Sequence, residues 1–139
     1  MTAALGSLNW LAVIVVTVAG FLLGWLWYSA LFGKVWMAEM KITPESIKAA
    51  DYNMPALFGS GLAYTLVSTF ALALLLRAHG TTSPLHGAEI GALIGLLVVG
   101  ARMANGGLWE KRSLRLQAIN IGHETVLFAV QGAILAVWR

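Results

Sequence analysis

The sequence predicts an all-α membrane protein, with four transmembrane helices in a bundle and an interfacial helical segment between helices 1 and 2. Three observations predict it. The chain of 139 residues is 59% hydrophobic and only 11% charged, where an ordinary soluble domain is about 25% charged. Its mean hydropathy is +0.79. Its apolar residues gather into four runs, at about 8–31, 56–77, 84–109 and 115–138, each long enough for a hydrocarbon core that takes about 20 residues to cross. These runs fill a single domain, 1–139, and leave no stretch for a soluble one.

The N-terminal MTAALGSLNW has no basic region, and the apolar run behind it outlasts a signal-peptide core, so a retained helix is expected. In this first helix Trp10 stands near the start and Trp25, Trp27 and Tyr28 near the end, the positions of interfacial aromatic residues. Gly20 and Gly24 form a GxxxG pair that lets another helix approach closely. Packing within the chain is the first reading of that pair, and a homodimer face the second.

The connection Phe32 to Pro55 mixes Phe32, Val35, Trp36, Met37 and Met40 with Lys34, Glu39 and Lys41, the pattern of a short helix in the interface plane. Thr43-Pro44-Glu45 starts a second short helix, with Thr as cap and Pro at the first helical position, running to about Asp51. A topological anchor is favoured here over a lid or docking surface. The second long helix carries Gly59, Ser60, Gly61, Ser68 and Thr69, small residues that suit tight contacts. Ser83-Pro84 opens the third, where Gly87, Gly91 and Gly95 recur every four residues and share one face. Arg102 and Asn105 follow, then a turn with Glu110, Lys111, Arg112 and Arg115.

The fourth helix is the informative one. It carries Asn120, His123, Glu124 and Gln131 inside an otherwise apolar span. A carboxylate there costs roughly 2.5 kcal/mol or more, so it needs a partner and shelter. An antiparallel hairpin turning near Glu110 to Ser113 brings Arg102 level with Ile121. The expectation is an Arg102–Glu124 ion pair, with Asn120 or Asn105 as a further hydrogen-bond partner. Two roles are open for it: fixing helix register, or a proton or ion pathway built on Glu124 and His123. Neighbouring residues point about 100° apart on a helix, so contact between His123 and Glu124 is not expected. Gln131 extends the polar stripe towards the other end.

Several classes are excluded or unsupported. The chain has no cysteine, which removes disulfides and thiol chemistry. The net charge is +3, with the basic residues in short loops beside apolar runs, a topology signal and not a nucleic-acid surface. His79, His86 and Glu89 cluster at one end of the third helix, but two loop histidines and an interfacial glutamate do not make a metal site, and no metal is expected. No phosphate-binding glycine loop, metalloprotease motif or nucleophile elbow is present, so neither a cofactor nor an enzyme activity is expected.

Lys34, Lys41, Lys48, Lys111, Arg112 and Arg115 lie on the first and third connections, against Arg77 and Arg139 on the other side. The positive-inside tendency puts both termini outside.

The run Trp27-Tyr28-Ser29-Ala30-Leu31-Phe32-Gly33-Lys34-Val35-Trp36-Met37 also carries a resemblance, together with Asn9-Trp10, Asn120-Ile121-Gly122-His123, Gly132-Ala133-Ile134-Leu135 and Trp138. In order and spacing these resemble a family of small bacterial membrane proteins known as domain of unknown function 1761. The family commonly has a proline where this chain has Ala30. The resemblance implies a four-helix protein of the bacterial inner membrane and brings no activity with it. Two functional classes are expected: a small oligomeric channel or carrier with a buried polar site, or an accessory subunit of a larger membrane complex. The partners expected are the bilayer, further copies of the chain or another membrane protein, and no nucleic acid.

Overall fold

A computed structural model of the chain describes residues 6–138; Arg139, counted above for orientation, lies outside the described residues. Four helices are long and apolar enough to cross a membrane: Trp10–Leu31 (α1), Met54–His79 (α4), Pro84–Trp109 (α5) and Leu114–Val137 (α6). Between α1 and α4 lie two short helices, Gly33–Met40 (α2) and Pro44–Ala49 (α3). Among the described residues there is no strand.

Each long helix starts on a side-chain cap, which supplies one of the acceptors that the first backbone N–H groups lack. Asn9 accepts from the Ala12 N–H, Asn53 from Ala56, Ser83 from His86 and Ser113 from Leu116. Thr43 and Ser46 cap α3 reciprocally. α4 ends on Gly80 at φ +74°, the left-handed conformation that glycine adopts without strain.

α6 is the centre of the bundle. Within its most apolar stretch 44% of residues are buried, against 22–28% in the other three spans, because α1, α4 and α5 all pack on it. A dry cluster fills the end of the bundle nearest the termini: Val13 and Val16 of α1, Leu72 and Leu76 of α4, Phe128 and Leu135 of α6. The glycine face of α5 meets α6 backbone to backbone. A Cβ at Gly87 would collide with the Gly132 carbonyl, and one at Gly91 with the Phe128 carbonyl. The α5–α6 seam therefore closes without intervening side chains, in the manner of small-residue membrane interfaces.

Two stretches depart from the α-helical ladder. The last turn of α1, Trp27–Leu31, and the middle of α5, Ile94–Gly100, are π-helical. Each inserts one extra residue into the ladder and turns every later side chain to a new azimuth.

Candidate functional site

Among the apolar side chains of the central helix, buried polar ones also meet α1 and α4. Gln131, only 1% exposed, donates from Nε2 to Thr69 Oγ1 at 2.8 Å, and Thr69 Oγ1 donates to the Thr65 carbonyl at 2.7 Å. Two turns towards the basic end lies His123, 7% exposed. Its Nδ1 lies 3.0 Å from Glu124 Oε1. Its other nitrogen, Nε2, is buried without a hydrogen-bond partner among the described residues, as is Gln131 Oε1. The Glu124 side chain is 24% exposed on the flank of the bundle.

α1 supplies the opposite wall, and its glycines are the reason these side chains fit. An ideal Cβ at Gly20 would stand 2.6 Å from Gln131 Nε2, and one at Gly24 would stand 3.2 Å from His123 Nε2. The GxxxG pair is thus a notch for two polar side chains of α6 within the same chain. Past the notch the π-helical turn presents Trp27 and Tyr28 to α6. Trp27 Nε1 donates to the Ile119 carbonyl at 3.1 Å, and Tyr28 OH donates to Asn120 Oδ1 at 3.2 Å. Both rings also pack on His123, with centroids 5.9 Å and 4.9 Å away.

A cavity of about 190 Å³ rises from the basic connections to this cluster, walled by Met103, Gly106, Gly107, Gln117 and Asn120. The ion pair Arg112–Glu110 belongs to its lining as well. Asn120 touches both the cavity and Tyr28, so a polar connection runs from the cavity through Asn120 and Tyr28 to the His123 ring and Glu124. Leu127 contacts the Gly20 position between His123 and Gln131 and interrupts that connection with an apolar side chain.

Of the residues singled out from sequence, Asn120, His123, Glu124 and Gln131 come together with α1, while Arg102 and Asn105 do not. The expected Arg102–Glu124 ion pair is not formed: Arg102 is exposed and makes no ion pair or hydrogen bond among the described residues, and Asn105 is exposed too. The cause is the π-helical stretch. On an ideal helix Arg102, seven residues or about two turns beyond Gly95, would return to the α6 face of Gly87, Gly91 and Gly95. The extra residue shifts that face to Gly100, whose Cβ position meets Ile121, and to Gly107, which packs on Gln117. Glu124 instead pairs with His123, its neighbour in sequence, because a 100° divergence at the axis is bridged by bending both side chains over the helix surface.

Sequence reasoning placed Trp27 and Tyr28 as interfacial anchors and gave Thr69 only a packing role. The signal that could have found them is pairing: every buried polar group on α6 needs an opposite number, and hydroxyl and indole groups on α1 and α4 are able to supply one. His79 and His86 do meet, edge to face at 5.8 Å. Among the described residues, no three His, Cys, Asp or Glu side chains are grouped so as to hold a metal ion.

Comparison with curated proteins and with solved structures gave no match. A family model described as a protein of unknown function, DUF1761, matches residues 11–136, from the second residue of α1 to the last turn of α6. Over nearly its whole length, then, the chain belongs to the DUF1761 family of proteins of unknown function.

Proposed function

We propose that the protein is a small oligomeric channel or carrier for protons, with His123 and Glu124 as its polar site. The observation that carries this reading is the state of the His123 ring: one nitrogen on a carboxylate, the other buried and open. An imidazole in that position takes a proton on one nitrogen and releases one from the other, while Glu124 stabilises the cation between the two events. The cavity reaches Asn120, one hydrogen-bonded step through Tyr28 from the His123 ring, and is the approach for water in this reading.

Oligomerisation follows from cost. A carboxylate a quarter exposed on the flank of an isolated bundle would meet lipid. A second copy covering that flank removes the cost and gives the proton a route past Leu127. The count of basic residues supports a reading with the cavity on the cytoplasmic side and the termini outside, and the membrane of this reading is the bacterial inner one. The chemistry asked of the site is transfer alone, with no bond made or broken in a substrate, so the protein is not read as an enzyme.

Reconstitution into liposomes with a pH-sensitive dye inside tests this. Under an imposed membrane potential wild-type protein is expected to acidify or alkalinise the lumen, Glu124→Gln to abolish the flux, and Arg102→Gln to leave it intact. No flux above empty liposomes, or flux indifferent to Glu124→Gln, removes the reading.

A further inference from the structure

A second recess is separate from the cavity that reaches Asn120. It is a groove of about 390 Å³ where the basic end of α6 passes the last turn of α1 and the first turn of α2. Trp27, Phe32, Val35, Ile119 and Gly122 line it, and a single charge, Arg115, joins them. Its walls are fixed. The Trp27 indole is pinned by its bond to the Ile119 carbonyl, and the Phe32 ring packs on Trp27 with centroids 4.7 Å apart. Gly122 leaves its share of the wall bare, with the Trp27 ring 3.4 Å from where a Cβ would stand.

The charges beside this groove have no ion-pair partner among the described residues. Arg115 is exposed and makes neither an ion pair nor a hydrogen bond among the described residues. Its position in the first turn of α6 sets its charge against the helix dipole, so it does not serve the helix it stands on. Lys34, between Phe32 and Val35 in the chain, is likewise exposed and without an ion pair among the described residues. By contrast Arg112, three residues before Arg115, is paired with Glu110. Of the exposed cations without an ion pair among the described residues, Arg115 is the one that lines the apolar groove.

We infer that this groove is a binding site for one anionic phospholipid, with an acyl chain against Trp27, Phe32 and Ile119 and the phosphate on Arg115. The fit is one of amphipathic order. Apolar wall and cation follow one another along the groove as chain and headgroup do in a lipid at the boundary of the bilayer, where each Lys or Arg attracts anionic lipid by roughly 1 kcal/mol. A planar guanidinium also grips a phosphate through two parallel hydrogen bonds. The inference stands apart from the proton reading, since neither His123 nor Glu124 lines the groove.

Native mass spectrometry of the full chain tests it, with the protein released from micelles containing phosphatidylglycerol or phosphatidylcholine of identical acyl chains. Wild-type protein is expected to retain one phosphatidylglycerol at least fivefold better than phosphatidylcholine. Arg115→Gln is expected to lose that preference while still retaining either lipid, and Ala118→Trp, which fills the groove from its exposed wall, to retain neither. Lys48→Gln, on α3 and away from the groove, is the control for diffuse charge. The inference is overturned if Arg115→Gln keeps the wild-type preference, if Lys48→Gln weakens it as much as Arg115→Gln does, or if a folded Ala118→Trp protein retains phosphatidylglycerol as before. Arg115 is exposed, so its variant reads out even where Ala118→Trp fails to fold.

Discussion

Adding one methyl group at Gly95 should separate the two helices that meet most closely. An ideal Cβ there lies 2.6 Å from the Glu124 carbonyl oxygen, 2.8 Å from Thr125 Cα and 3.0 Å from the Glu124 carbonyl carbon. Ordinary contact begins at 3.4 Å, so the new carbon is 0.8 Å too close to its nearest neighbour. All three obstacles are backbone atoms of a helix packed on three sides, so no side chain can swing aside. Overpacking of this kind costs about 1–3 kcal/mol. The upper half of that range is expected, since relief requires α5 and α6 to part along the whole glycine seam. About 2 kcal/mol shifts the folding equilibrium some thirtyfold. Little offsets it, because a helix stays helical in the membrane-inserted unfolded state and gains almost nothing from exchanging glycine for alanine. Gly59→Ala is the matched control: nothing lies within 4 Å of its Cβ position, and its effect should stay within about 0.5 kcal/mol. Gly24→Ala falls between, since its neighbour at 3.2 Å is the edge of the His123 ring. Equilibrium unfolding in mixed micelles with increasing dodecyl sulfate measures all three. Equal stability of Gly95→Ala and Gly59→Ala refutes the argument that backbone contact sets the seam.

Three further outcomes follow from the polar face of α6. Thr69→Val removes the acceptor for Gln131 and leaves a buried amide unpaired, so it should destabilise by about 1–3 kcal/mol; the double change with Gln131→Met should recover most of that loss in the same unfolding assay. Trp27→Phe keeps an aromatic side chain but deletes the indole donor to Ile119 and trims the ring packed on Phe32 and His123, and should cost about 0.5–1.5 kcal/mol for the hydrogen bond with lost packing added to it. Arg102→Leu should change stability by no more than about 0.5 kcal/mol, because that side chain is exposed and unpaired among the described residues; a loss of 3 kcal/mol or more, the cost of breaking a buried pair, would restore the ion pair that the straight-helix count expected.

Helix number was legible in the sequence for a simple reason: a requirement for about 20 apolar residues is a local property. So is a side-chain cap, and Ser83-Pro84 marks its helix start outright. The glycine face at 87, 91 and 95 was legible too, since a four-residue repeat survives as long as the ladder is α-helical. What failed was everything read across the π-helical stretch that begins at Ile94. A single inserted residue is a tertiary adjustment, here one that slots Gly100 and Gly107 against Ile121 and Gln117, and no local pattern announces it. The error propagated to Arg102 and Asn105, which lie beyond the insertion, and spared Asn120, His123, Glu124 and Gln131 on unbroken α6. The role of Gly20 and Gly24 was half legible. Small residues signal close approach, but only the packed bundle tells that a histidine and a glutamine fill the space.

The account depends on the His123 ring and the Glu124 carboxylate touching inside the bundle, with no arginine between them. Magic-angle-spinning NMR on protein in lipid bilayers, with ¹⁵N in the His123 ring and ¹³C in the Glu124 carboxylate, measures that contact directly. A dipolar coupling between the two labels, as an Nδ1–Oε1 separation of 3.0 Å requires, is the expected result. Glu124 coupled to an arginine guanidinium with no coupling to His123 would contradict it.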